Sequence, residues 1–410
     1  MLVAVVCFML IAQALGSELP SESVKIDRRT VLVLFGTRHG NRNPEVFLDE
    51  NPRTWGHEGD TELTSIGKRQ AFGLGKELRL FVGSLLSENY NRTQAKYFSS
   101  SANRCQMTLQ VVLVGLYRPV GWAVWDSNSS LSWSPVPYSI NDPMLRMYAV
   151  EEFWKPIDED SLPKLSLAKQ RGEKLLTYVA EKTGWNMTSL GKLADLADNL
   201  IEIDMFNATY PEWILNPTLD GYDKDRLVRE IMSFAEIHQI ACTNYPPCRD
   251  LMAGVWLKHI LSTIAETEEN KALRVVGYAS HTEVTLAVMK LLGIFKDEIT
   301  TSAGFVLEYR RKPMPSVRLL NHDPDPVDKH VIYKATLVQE LADKMDVDGF
   351  ISLDDFISHV SPKTISDWKT ACGVSSDCDT ANNSSYSSIS PSYCVAMYTL
   401  LLLAFIHLDL

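Results

Sequence analysis

The stretch Thr30-Val-Leu-Val-Leu-Phe-Gly-Thr-Arg-His-Gly-Asn-Arg-Asn-Pro44 changes character halfway along. Its first seven residues, Thr30–Gly36, are β-branched and apolar without polar alternation. That pattern predicts a strand buried on both faces, as in a sheet covered by helices on each side. The second half is polar and carries His39 between Arg38 and Arg42, with Gly40 beside it and Pro44 ending any regular structure. Ligands of open α/β sheets bind beyond the carboxyl ends of strands, which is where His39 falls. Guanidinium forks match phosphate oxygens bidentately, and a positive field disfavours imidazolium. The run therefore reads as a cationic cup around a neutral imidazole, a nucleophile that survives below pH 7 and calls for no metal or cofactor.

Outward from this run, Leu63–Leu80 has helical periodicity, Lys96–Ser100 reads as a weaker strand, and Asn103–Tyr117 is apolar nearly all round, as in a buried helix. Leu273–Ala279 repeats the buried-strand pattern and is followed by His281 and a helix over Val284–Leu292. Gly304–Arg310 and Ser316–Asn321 form an expected hairpin, His330–Lys334 a further strand and Ile351–Val360 a terminal helix. Strands alternating with helices give an α/β class with a central mixed sheet flanked by helices. Between Trp122 and Cys248 no strand is evident and helical segments such as Ser166–Thr183 and Lys192–Ile201 dominate. The expected organisation is a core over 28–121 and 249–372, with 122–248 inserted as a mainly helical cap.

Both ends read as processing signals. Residues 1–16 are apolar and end in small residues, as in a secretory signal peptide, although a basic n-region is missing. Residues 380–410 run from a Ser/Asn-rich spacer into an apolar tail too short for an ordinary span, which resembles a GPI-anchor signal. A short true span or an unprocessed tail are the alternatives. Sequons at Asn91, Asn128, Asn186, Asn207, Asn382 and Asn383 point to a secretory route, extracellular or cell-surface. Cys242 with Cys248 and Cys372 with Cys378 are spaced to close small disulfide loops, leaving Cys105 as a buried thiol. The net charge of −11 argues against nucleic acid as a partner. Asp346-Val-Asp348-Gly349 imitates part of a calcium loop, but Lys344 and Asp355 would occupy its first and twelfth positions, which argues against calcium binding.

Arg38–Pro44 resembles the Arg-His-Gly-x-Arg-x-Pro signature of the histidine acid phosphatases at every fixed position. Leu63-Thr64-x-x-Gly67-x-x-Gln70, Arg104 in Arg-Cys-Gln-Met-Thr, Trp133-Ser-Pro-Val-Pro137 and Asp367-Trp368-x-x-x-Cys372 are similar to family segments in the same order. The resemblance spans about residues 28–372. It implies a phosphoglycerate mutase-like fold, phosphate binding by Arg38, Arg42, Arg104 and His281, and a phosphohistidine formed on His39. It also implies small phosphate monoesters (or phosphoproteins) as substrates and a two-chain assembly. One position departs from the pattern: Thr282 stands where the acid phosphatases carry their aspartate proton donor. His281-Thr-Glu283 instead fits the His-x-Glu of inositol polyphosphate phosphatases and some phytases, which makes Glu283 the candidate acid. Two other readings compete. Ser280-x-x-Glu283 is also a capping box, which would turn the carboxylate to the helix end. Without an acid, the chain would be a weakened enzyme or a phosphatase-fold binding protein.

Overall fold

The computed structural model describes residues 19–49, 55–126, 131–150, 153, 162–186 and 190–371. Thr30–Arg38 is strand β1, every residue of it from Leu32 to Arg38 buried, as its composition requires. Ser65–Val82 is helix α1, Ala95–Ser99 is β2, and Asn103–Leu116 is α2. Ser139–Ile140 is a two-residue strand β3. Helices α3 (Pro163–Thr183), α4 (Gly191–Met205), α5 (Lys224–Met232), α6 (Ile237–Asn244) and α7 (Pro246–Glu269) follow. Strand β4 (Val275–Ser280) leads into α8 (Thr282–Leu291). Strands β5 (Gly304–Arg310), β6 (Ser316–Pro324), β7 (His330–Lys334) and β8 (Ile351–Ser352) precede α9 (Leu353–Val360).

The sheet runs β3-β2-β4-β1-β5-β6-β7, with β8 on β6. β3, β2, β4 and β1 are mutually parallel, and β1 turns antiparallel against β5, so the sheet is mixed. Alternate residues of β1 serve two cores. Val33 and Phe35 pack with Leu74, Leu78, Leu109 and Val112 of α1 and α2. Leu32 and Leu34 belong to the larger core on the other face, with Trp256 of α7 and Val284 of α8. The expected hairpin is present, with Arg310 opposite Ser316 and Gly304 opposite His322.

The parallel register of β1 and β4 sets Arg38 opposite Ser280. Their next residues, His39 and His281, therefore leave the same edge of the sheet side by side. From there β1 connects onward to β2 and β4 to β5, in opposite directions across the sheet, the condition that opens a crevice at strand ends.

Three expectations need correction. The stretch 122–248 is not strandless, because Ser139–Ile140 extends the parallel edge beside β2. Cys248, the last residue of that stretch, lies in the first turn of α7. That 24-residue helix is buried on several sides and starts on tandem prolines, so it shows no amphipathic stripe to read. The helix after β4 begins at Thr282 rather than Val284, and the capping box does not form. Ser280 is the last residue of β4, its Oγ donates to the Leu145 carbonyl at 2.6 Å, and His281 is the N-cap residue. Cys242 and Cys248 are disulfide-bonded across the α6–α7 junction, and Cys105 is a buried free thiol. The pair Cys372–Cys378, the signal peptide and the C-terminal tail lie outside the described residues.

Candidate active site

The motif loop is built onto the start of α1. Thr64 caps that helix, its Oγ1 accepting from Gly67 N–H at 3.1 Å, and also donates to the Asn41 side chain. Gln70 Oε1 accepts from Asn41 N–H at 2.8 Å. The Thr64-x-x-Gly67-x-x-Gln70 spacing thus places a cap, a contact and an acceptor against one loop. Gly67 is the contact: a Cβ there would stand 2.1 Å from the Asn41 carbonyl oxygen. Gly67→Ala therefore forces the loop off the helix. We expect a loss of about 1–3 kcal/mol in a thermal melt and at least roughly tenfold in kcat/KM, since catalytic geometry tolerates little displacement.

His39 is buried, and its Nδ1 lies 2.8 Å from the Gly40 carbonyl oxygen. A carbonyl only accepts, so Nδ1 carries the proton and Nε2 keeps its lone pair. Burial and then the charges of Arg104 and Arg38 hold the imidazole pKa well below its ordinary value. Desolvation thus outweighs the cationic field as the cause. His281 lies beside it, ring centroids 5.7 Å apart and nearly perpendicular. Its Nδ1 accepts from Arg104 Nη2 at 3.2 Å and its Nε2–H donates to Ser100 Oγ at 2.9 Å. Burial followed by Arg104 and Arg146 keeps it neutral as well.

The arginines converge on the same place. Arg38 Nη1 donates to the Ile299 carbonyl at 3.0 Å and its Nη2 to Glu236. Arg42 Nη1 donates to Asn43 O and its Nη2 to Asp198 Oδ2, both at 2.8 Å. The buried Nε atoms of Arg38 and Arg104 have no partner among the described residues. Buried donors of this kind have hydrogen-bonding capacity to spare, which an anion could use. Glu283, in the first turn of α8, is buried, and burial first, then the Glu236 charge, push its carboxyl up to about 7 against its own N–H and the arginines. Cys105 packs its sulfur 3.5 Å from His281 Nε2, and burial pushes that thiol up to about 11. All six residues expected from the sequence therefore meet at one sheet edge.

Sequence reading missed the acidic wall. Asp198 and Glu202 come from α4 and Glu236 from the N-cap of α6. Glu202 Oε1 accepts from Asn41 Nδ2 at 2.5 Å. Arg146, at 3.3 Å from Ser101 Oγ, is a fourth arginine near His281. None of these lies in a motif; Asp198 falls inside the expected helix Lys192–Ile201, and Glu202 joins its face only because the helix runs on to Met205. Burial pushes Glu202 up to about 8 from 4.5. An upward-shifted carboxyl stabilises the fold fully below its unfolded pKa, and that contribution is lost as pH rises from about 4.5 through 8, on the order of 4 kcal/mol. Glu202→Gln should remove most of that slope, leaving a melting temperature at pH 8 above that of the native chain and little changed at pH 4.5.

Residues 33–311 match the Histidine phosphatase superfamily (branch 2). The chain is 25% identical over 279 residues to lysosomal acid phosphatase of Xenopus laevis, covering 62% of this chain and 59% of that one. It is 24% identical over 316 residues to venom acid phosphatase Acph-1 of Apis mellifera, covering 70% and 74%. In fold it is similar to the phytase of Citrobacter braakii, with TM-score 0.57 and 13% identity over 84% of this chain and 98% of that one. With the signature loop at the end of a central strand and a match across most of the described core, the chain belongs to branch 2 of the histidine phosphatase superfamily and is a phosphoric monoester hydrolase.

Proposed function

We propose that the chain hydrolyses small phosphate monoesters in two steps through a phosphohistidine on His39, with Glu283 as the proton donor. Arg38, Arg42, Arg104 and His281 hold the phosphate. The His39 Nε2 lone pair attacks phosphorus, the ester P–O bond breaks, and the leaving oxygen takes the Glu283 proton. Water then attacks the phosphohistidine, returns a proton to Glu283 and releases phosphate and neutral imidazole. The arginines offset charge on the transferring oxygens. The observation that carries this reading is the His39 tautomer: the Nδ1 contact to Gly40 O leaves Nε2 as a buried, unprotonated nucleophile among arginines. A protein that only binds phosphate has no need of it. The carboxyl of Glu283 near 7 supplies the acid below neutrality, so cleavage of poor leaving groups declines as pH rises through 7.

The helical stretch 122–248 is proposed as a cap over this edge, supported by the contacts of Asp198 and Glu236 with the motif arginines. The disulfide Cys242–Cys248, with the apolar start and the sequons, supports a secretory route to the cell surface or beyond. The C-terminal tail is proposed as the anchor signal. The test of function is phosphate release from p-nitrophenyl phosphate and from a sugar phosphate across pH 4–8. No release from either at any pH would overturn the reading.

A further inference from the structure

We propose that Glu236 and Asp198 are specificity residues that occupy the two motif arginines in place of a phosphate, so that an anion is captured by displacing them. The inference rests on the proposed phosphate site at Arg38 and Arg42.

The donors decide it. Each motif arginine spends Nη1 on a backbone carbonyl, of Ile299 for Arg38 and of Asn43 for Arg42. Of the two terminal nitrogens the other is Nη2, and that is the one each carboxylate holds. In Arg38 the adjacent Nε is buried without a partner among the described residues, so Glu236 engages one prong of a two-pronged edge. A phosphate with two suitably spaced oxygens would take both prongs, which gives it an advantage over the side chain it replaces.

The backbone adds a second observation. Glu236 holds φ 53° and ψ 22°, the left-handed region that a residue with a side chain rarely adopts. Such strain persists where surrounding structure enforces it, and here it delivers a carboxylate to Arg38. The neighbouring charges set the cost of that displacement. Arg38 at the end of β1 and Arg42 in the motif loop face these acids, Glu202 of α4 acts on Arg42 as well, and Glu283 of α8 lies within reach of Glu236. Asp198 is shifted upward, first by burial, with Arg42 opposing and Glu236 reinforcing the shift. An incoming dianion therefore meets the side chains of Glu236 and Asp198 on the two arginines that it must grip. The same wall disfavours substrates bearing a second anionic group close to the scissile phosphate.

Sulfate is the suitable probe, because it stays doubly charged across pH 5–8 and cannot be turned over. Its Kd, measured by calorimetry, does not depend on phosphohistidine chemistry. Glu236→Gln should tighten sulfate binding at pH 7.5 by about fivefold, and Glu236→Gln with Asp198→Asn should tighten it further. Weaker or unchanged sulfate binding at pH 7.5 in Glu236→Gln overturns the proposal, since a purely positioning carboxylate would give that result. If the double variant fails to fold, the single variant carries the same test at Arg38. Sulfate that neither binds nor competes with p-nitrophenyl phosphate at any pH would overturn the phosphate-site reading itself, and this inference with it.

Discussion

Phosphate release from p-nitrophenyl phosphate is expected to fall by at least about four orders of magnitude in His39→Ala, because the covalent route is then closed. The second histidine does not step in. His281 Nε2 donates to Ser100 and its Nδ1 accepts from Arg104, so neither nitrogen offers a lone pair to phosphorus. The arginines remain, so sulfate affinity should persist in the variant while turnover disappears. That separation distinguishes a lost nucleophile from a collapsed site. Turnover near the native rate in His39→Ala would sink the phosphohistidine.

Glu283→Gln is expected to lower kcat on a sugar phosphate by roughly 10²–10³ and to change p-nitrophenyl phosphate cleavage by less than about tenfold. A nitrophenolate departs without help, whereas an alkoxide requires a proton as the P–O bond breaks. The sign with pH follows from the upward shift. With a carboxyl near 7, the donor is protonated in acid and lost above neutrality, so native activity on the sugar phosphate falls as pH passes 7. In the glutamine variant that descending limb should disappear. Equal losses on both substrates would assign Glu283 a structural role instead, and the catalytic acid would have to be sought elsewhere.

What could be read from the residues followed how locally each feature is encoded. The motif loop, both central strands and the Thr64–Gln70 segment depend on neighbours a few positions away, so composition and spacing exposed them. Glu283 could be placed only by knowing where α8 starts. Thr282 as its first residue, rather than Val284, sets Glu283 in the first turn and leaves Ser280 bonded to Leu145 instead of capping. Glu236 was invisible because its role comes from a tertiary approach to Arg38 across 198 positions of chain. Nor did α7 show a stripe, because several of its sides are covered. The decoy at Asp346–Gly349 resolves in the same manner: Asp346 and Asp348 pair with Arg310 and Arg29, so their carboxylates tie the sheet edge to the N-terminal segment.

The place of β4 between β2 and β1 has a consequence for how the chain is made. During synthesis β1 and β2 emerge early, yet they share no edge, and the strand that joins them appears only after about residue 275. Until then two apolar strands wait with open edges, the condition that invites mispairing and chaperone attention. His39 is present in the first tenth of the chain, but His281 arrives only with β4, and β5, which covers the other edge of β1, follows later still. Hydrolytic activity should therefore appear only after both strands have joined β1, which makes it a reporter of late sheet assembly.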